Sequence, residues 1–315
     1  AKIEFVKYLV TEHSYKDIAF EGDFFALQFD HNKRSLYKMW SQSSQCKELF
    51  EFLEKHEVTI WGFDNRIGTP YSQKYFPLKL AEFLKENQLK LDKDFERLSK
   101  IITQDEYDIQ KTLNKKEIEY VKAYTSKLLL YGCVKQSKTW NQILESFKSA
   151  IDLYAVKDNY SDKKRNPIRD TQMAKNLDFL VNQNPDKKFM VWLANGHMSK
   201  SNEGWMNGKT MGYQFRELNQ NHTYHIAFGS MRLPPRDEKD IQKAVENDKN
   251  ILSLLPSIND NYFIDTKHII DTNEKFKHEE ISDLHIFIND SKKSKLFVHF
   301  DALVFIANGQ EVKYD

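Results

Sequence analysis

Four groups of residues in this chain carry the side chains that hydrolytic chemistry needs: Glu21, Asp64, the adjacent Arg169 and Asp170, and Asn195 with His197. A histidine or carboxylate titrating near neutrality can take a proton from water. An arginine can stabilise the oxyanion that develops at a carbonyl, and an asparagine can orient substrate or water. Glu21 follows a short apolar run, where an acid must either be paired or face a cavity. Plainer roles exist for the others: Arg169 and Asp170 suit a helix start with a surface ion pair, and His197 suits a glycine turn.

Several familiar chemistries are missing. No GxSxG elbow is present to expose a serine nucleophile. His278-Glu279 and His56-Glu57 lack the second histidine of HExxH, and GWMNGKT at 204–210 is one residue short of a phosphate loop. His222 and His225 sit in a strand-like run, where a spacing of three points them to opposite faces. A metal site assembled from His197, Glu21 and Asp64 is a weaker alternative, because one histidine and two acids form no recognised ligand spacing.

The elements that must position these groups follow an α/β grammar. Lys16 to Phe20 reads as a buried strand ending at Glu21-Gly22-Asp23. Leu49, Phe50, Phe52 and Leu53 pattern a helix, and Val58 to Phe63 a second strand ending at Asp64-Asn65-Arg66. Helix, strand and acidic loop in repetition predict a mostly parallel central sheet flanked by helices, with ligands at the carboxyl ends of the strands. Between Pro77 and Pro167 there is no proline and only one glycine, so residues 71–160 are expected to form an inserted helical layer or lid. The expected organisation is one composite domain, with 1–70 and 161–315 as the two parts of the α/β core. Asp170 is read as the N-cap of a helix carrying Met173, Ala174, Leu177 and Leu180, followed by a strand over 189–193. That strand leads into a loop with four glycines, Gly196, Gly204, Gly208 and Gly212, spaced for close approach of the backbone. Further strands are expected at 224–228, 284–288, 296–300 and 302–306, giving a parallel sheet of about five strands.

Composition narrows the partners. With 47 basic and 46 acidic side chains the net charge is +1, which argues against nucleic-acid binding through bulk charge and for a small or neutral ligand. The 22 Phe, 15 Tyr and 5 Trp supply a sizeable core. Cys46 and Cys133 form no CxxC motif and read as two reduced, buried thiols. No apolar run approaches the length of a membrane helix, and no signal segment opens the chain, so a cytoplasmic location is expected. The uncapped helix at Ala1 suggests upstream sequence, which could include a targeting segment.

The run RDTQMAKNLDFLVNQNPDKKFMVWLANGHMS, with the later Met211-Gly212 and YHIAFG, resembles the core signature of the erythromycin esterase family. That signature is an RDxxMAxN helix, a strand ending in a WAHNxH-type loop, an MG pair and an aromatic strand. KYLV, AFEG and GFD earlier in the chain, and Phe300-Asp301-Ala302 late in it, fall in the same order. The resemblance implies a hydrolase that opens ester or lactone bonds with activated water, independent of metal and cofactor and without a covalent serine. Macrolide antibiotics, and resistance to them, are the associated substrate class.

By position, Glu21 matches the family's active-site glutamate, Arg169 and Asp170 its RD pair, and Asn195 and His197 the end of its HNxH loop. Catalytic roles are therefore expected for His197, Glu21 and Arg169, and substrate-binding roles for Asp64, Asn195 and Asp170. Two departures stand out. Ala194 occupies the place of the loop's first histidine, and the family's GExTHGxxE segment would lie just before Ala1. They keep a second function open, a non-catalytic small-molecule-binding protein on the same scaffold.

Overall fold

Helix α1, Lys2–His13, leads into strand β1, Asp17–Asp23, which is buried along its whole length. Such continuous burial belongs to a strand covered on both faces, the situation of a parallel sheet under helices. β1 pairs in parallel with β2, Thr59–Asp64, on one side and with β3, Phe189–Trp192, on the other, giving the order β2-β1-β3. This computed structural model describes residues 1–104, 112–156, 162–202, 209–219, 222–232, 237–284, 286–287, 294–310 and 313–314.

Parallel neighbours need crossover connections, and helices supply them. Helices α2, Phe24–Phe29, and α3, Ser44–Lys55, lie between β1 and β2. Between β2 and β3 come α4, Pro70–Glu86, α5, Lys93–Gln104, α6, Lys115–Leu128, α7, Lys138–Tyr154, and α8, Asp162–Gln183. Their burial follows the helical period: Cys46, Leu49, Phe50 and Leu53 on α3, and Ile143, Phe147, Ala150 and Tyr154 on α7. Asn114 and Glu117 close a reciprocal capping box at the start of α6. Phe76 joins the layers, with ring centroids 5.1 Å from Phe25 and 4.5 Å from Phe147.

The chain divides into two compact units. One comprises Lys7–Trp192 with Tyr314–Asp315, and the other Ala1–Val6 with Leu193–Lys313. In the second unit, β4, Ile226–Arg232, pairs in parallel with β6, Ala302–Asn308, and β5, Tyr262–Asp265, adds antiparallel to β6. Its core gathers Ala227, Met231, Phe287, Phe300, Leu303 and Phe305. The unit also holds α9, Asn195–Met198, α10, Met211–Asn219, α11, Glu238–Val245, and α12, Thr266–Thr272.

The mixed α/β class with a parallel sheet flanked by helices is as expected, but several details differ. Among the described residues the strands fall into two sheets of three, because apolar periodicity identifies a strand without saying which sheet it joins. Leu296–Val298 is a 3-10 turn; Leu296 and Phe297 are consecutive and both buried, which a one-sided strand cannot do. Asp170 is not an N-cap, since α8 begins at Asp162 and runs through Pro167. Proline deletes one N–H from the ladder, yet its fixed φ is itself helical, so the backbone continues. Cys46 is buried but Cys133 only half-buried, and both are free thiols. His225 is buried and His222 exposed, both ahead of the strand rather than in it. Gly204, Gly208 and most of GWMNGKT lie outside the described residues, as does part of 284–288. Among the described residues no helix is long and apolar enough to cross a membrane.

Candidate functional site

The parallel arrangement of β1 and β2 carries Glu21 and Asp64 to the same edge of the sheet. Pairing runs Phe20 with Gly62 and then Asp23 with Asp64, so β1 holds one extra residue, a bulge at Glu21-Gly22. Bulges re-aim a side chain out of strict alternation. Gly62 makes room for this one: a Cβ there would lie 2.7 Å from the Gly22 carbonyl oxygen and 2.8 Å from that of Asp23.

Arg169, on α8, ties the two acids together. Its Nη2 donates to Glu21 Oε1 and to Asp64 Oδ2 at 2.5 Å each, and its Nε donates to Asp64 Oδ1 and Oδ2 at 3.1 and 3.2 Å. Arg66 approaches from the loop after β2, its Nε 3.1 Å from Asp64 Oδ2 and its backbone N–H 3.1 Å from Oδ1. The Arg66 guanidinium also stands 4.7 Å over the Tyr37 ring, while the Tyr37 hydroxyl donates to the Arg66 carbonyl. Burial of Asp64 would raise its pKa, but Arg169 and Arg66 hold it well below the usual carboxylate range. Burial works against the charge of Arg169 as well, and Asp64 and Glu21 more than offset it, keeping the guanidinium protonated.

Asp23 lies next to this cluster and is fully buried. Its Oδ1 caps α2 by accepting from the Ala26 N–H at 3.0 Å. Its Oδ2 accepts from Ser72 Oγ at 2.6 Å, Thr69 Oγ1 at 2.9 Å, and the N–H groups of Gly68 and Thr69 at 3.3 Å each. The pKa is nevertheless pushed up to about 6, because burial outweighs the donors from Ser72, Ala26 and Thr69. Asp23 thereby anchors the loop that presents Arg66. Asn65, between Asp64 and Arg66, donates to Ser149 Oγ at 2.9 Å, and its buried Oδ1 has no hydrogen-bond partner.

The other expected residues are placed as follows. Asp170 is fully buried on α8 beside Arg169. Asn195 and His197 share the single turn of α9 in the second unit. The Asn195 amide bonds to β4: Nδ2 donates to the Phe228 carbonyl at 2.8 Å and Oδ1 accepts from its N–H at 3.4 Å, leaving one N–H and one lone pair of the amide beyond these bonds. His197 is half-buried, and the backbone that follows it is clamped. The Met198 carbonyl meets His225 Nδ1 at 2.7 Å, the Ser199 carbonyl accepts from Thr210 Oγ1 at 2.7 Å, and Ser199 Oγ lies 2.6 Å from His299 Nδ1. Burial lowers the pKa of His225 and outweighs the Met198 carbonyl, which on its own would favour the protonated ring. Gly212 is obligatory, since a Cβ there would fall 2.1 Å from the Met198 oxygen. Ala194 is exposed at the N-cap of the turn.

Within the first unit, then, Glu21, Asp64 and Arg169 form one bonded cluster. Sequence reasoning noted Arg66 and Asp23 only as loop residues. Their signal was position, each two residues beyond a candidate acid at a strand end. Among the described residues no group of three or more His, Cys, Asp or Glu is placed to hold a metal.

Comparison with known proteins agrees over nearly the whole chain. The sequence profile of the erythromycin esterase family matches residues 10–308. A Bacillus cereus protein of known structure superposes with a TM-score of 0.72 at 16% identity, covering 100% of this chain and 85% of its own. A succinoglycan biosynthesis protein follows at TM-score 0.71 and 15% identity, with the same coverage. A mutant of the erythromycin esterase EreC in its open conformation gives 0.69 and 16%, covering 100% of this chain and 87% of EreC. No curated protein matches the chain. The structural likenesses speak to fold, the profile match speaks to descent, and the chain belongs to the erythromycin esterase family.

Proposed function

We propose that the protein is a hydrolase of the erythromycin-esterase type, in which water attacks an ester or lactone carbonyl and no serine is acylated. The observation that carries this reading is the buried Glu21–Arg169–Asp64 set at the strand ends of a chain belonging to that family. In the proposed mechanism His197 and Glu21 move the proton between water and the departing oxygen. Arg169 fixes the Glu21 carboxylate and supplies positive charge as the carbonyl oxygen becomes anionic. Asp64, Asp170 and Asn195 complete the substrate-binding set, Asp64 acting through its grip on Arg169. Water adds across the acyl–oxygen bond, giving a carboxylic acid and an alcohol, or a single hydroxy acid from a lactone. The partner is a small-molecule ester or lactone, with macrolides as one class to try; no cofactor is required and no nucleic acid or membrane is involved. One observation favours a second reading, a binding protein on the same scaffold: Ala194 carries no imidazole at the position where the resemblance calls for histidine.

Mass spectrometry of an ester and lactone panel, a macrolide included, tests the proposal with the full-length protein beside Glu21→Gln and His197→Ala. The expected result is a gain of one water, or cleavage to acid and alcohol, with wild type and loss of that turnover in both variants. Saturable binding of a panel member without turnover would move the assignment to the binding protein.

A further inference from the structure

Three consecutive residues at the end of β2 are each held by a side chain of the helical layer. The Phe63 carbonyl accepts from Asn176 Nδ2 of α8 at 3.0 Å, the Asp64 carboxylate is gripped by Arg169 of the same helix, and the Asn65 amide donates to Ser149 Oγ of α7. The Phe63 carbonyl belongs to the peptide that joins Phe63 to Asp64. Asn176 therefore fixes the backbone from which the Asp64 carboxylate projects.

Asn176 is fully buried, and its amide uses its whole bonding capacity. An asparagine side chain has two N–H donors and two acceptor lone pairs. Nδ2 donates to the Phe63 carbonyl and to Ser146 Oγ, both at 3.0 Å, and Oδ1 accepts from Gln142 Nε2 at 2.7 Å and Gln172 Nε2 at 2.9 Å. A carbonyl only accepts, so the nitrogen must face Phe63 and the amide cannot be turned over. These bonds reach β2, α7 and α8 itself.

Position along α8 connects this network to the buried acids. Arg169 and Asn176 are seven residues apart, which the helical period returns to one face, and Gln172 lies between them on that face. One face of α8 thus holds two neighbouring points of β2, the Phe63 carbonyl and the Asp64 carboxylate. Slippage of the helix along the strand would have to break both. The guanidinium fork is planar and directional, and its donations to Asp64 at 3.1, 3.2 and 2.5 Å require that register. We propose that Asn176 is a positioning residue, which acts through Arg169 by holding the guanidinium where it serves Asp64 and Glu21. Its effect on Arg169 stands on the hydrogen bonds alone; its effect on turnover rests on the hydrolase reading.

Exchange of the Arg169 Nε–H proton with water, followed by heteronuclear NMR of the full-length protein, tests the first effect. The resonance is assigned by its absence from Arg169→Lys. Asn176→Leu keeps the approximate shape and removes all four bonds, whereas Leu177→Ala, at the next and also buried position, removes only apolar packing from the same helix. A residue that merely stabilises the fold would change exchange and global stability in step, and Leu177→Ala should do so. In Asn176→Leu, exchange is expected to be about tenfold faster or more beyond what its loss of stability in urea unfolding accounts for. On panel substrates that wild type hydrolyses, Asn176→Leu should lower kcat about 10- to 100-fold with KM little changed, as for a misplaced group that acts in the transition state. Asn176→Ser, whose hydroxyl supplies one donor in place of two, serves if Asn176→Leu fails to fold, with a smaller change of the same kind expected. The proposal is overturned if Arg169 exchange in a folded Asn176 variant changes no more than global stability, if Leu177→Ala shows the same excess, or if kcat is unchanged on a substrate that wild type hydrolyses. Absence of turnover by wild type would remove the hydrolase reading, and the exchange comparison would then decide the role of Asn176.

Discussion

Arg169 grips Asp64 from two directions, with Nε reaching both carboxylate oxygens at 3.1 and 3.2 Å and Nη2 reaching Oδ2 at 2.5 Å. The same Nη2 reaches Glu21 at 2.5 Å, so one guanidinium joins the ends of β1 and β2 to α8. A planar fork with five donors can do this; a lysine ammonium cannot reproduce it. The acids are nearly inaccessible, Glu21 at 6% and Asp64 at 0% exposure, so Arg169 supplies their buried counter-charge and, with Arg66, keeps Asp64 ionised.

Removing that guanidinium should therefore be costly. Arg169→Met is expected to destabilise the protein by about 3–5 kcal/mol at neutral pH, because the cation shared by two buried carboxylates is removed and only Arg66 still faces Asp64. Arg169→Lys should fall between this variant and wild type. Asp64 titrates below its ordinary range when folded, so its contribution in wild type is complete above that range and is lost as pH falls through the folded pKa. In Arg169→Met, where Arg66 alone still faces Asp64, this acid-side loss should be smaller, and the deficit should narrow as pH drops. Urea unfolding at a series of pH values extending well below the ordinary carboxylate range of about 4 measures both effects; a deficit that stays constant through that acid range would contradict the assignment.

Asp23 has the opposite sign. Its folded pKa of about 6 stands above the ordinary 3.8, so its contribution is fully present below 3.8 and is lost as pH rises through 6. For a fully buried group, that displacement corresponds to about 3 kcal/mol between the two ends of the window. The difference in unfolding free energy between wild type and Asp23→Asn should accordingly change between pH 4 and pH 7. Taking this difference also cancels the contribution of His225, which titrates downward in the folded state and appears in both proteins. A flat difference curve would show that Asp23 does not titrate in this range.

The turn that carries His197 depends on a missing side chain. Gly212→Ala would place a methyl group 2.1 Å from the Met198 oxygen, and the contact is with backbone, so the turn must move. A loss of about 1–3 kcal/mol is expected, the usual cost of overpacking a tight site. Thermal melting reads the stability. The imidazole resonances of His225 and His299 should shift with it, since both rings bond to residues 198 and 199.

Ala194 separates the two functional readings. It is exposed, so Ala194→His should leave stability within about 0.5 kcal/mol of wild type. On the hydrolase reading, the added imidazole changes the turnover of at least one ester or lactone in the panel. On the binding-protein reading, it changes affinity and leaves turnover absent. The panel assay and a binding titration on the same two proteins distinguish these results.

Local pattern was enough to define much of this protein. Apolar runs ending in AFEGD and GFDNR marked β1 and β2 and the acids at their ends, because a buried strand is apolar and an acid at its end needs a partner or a cavity. Helical spacing through 71–160 marked α4 to α7 for the same reason. The candidate residues themselves were readable by type and order along the chain. Tertiary structure decided what no local window contains: that 226–232 and 302–308 form a second sheet, that α8 runs through Pro167, and that Arg169 spans 105 and 148 positions to Asp64 and Glu21. Those outcomes depend on long-range pairing and on balancing buried charge, where the free energy belongs to partners distant in sequence. The shifted state of Asp23 is of the same kind, since all its donors but the Ala26 N–H come from residues 68–72 and its burial from the layers packed around it.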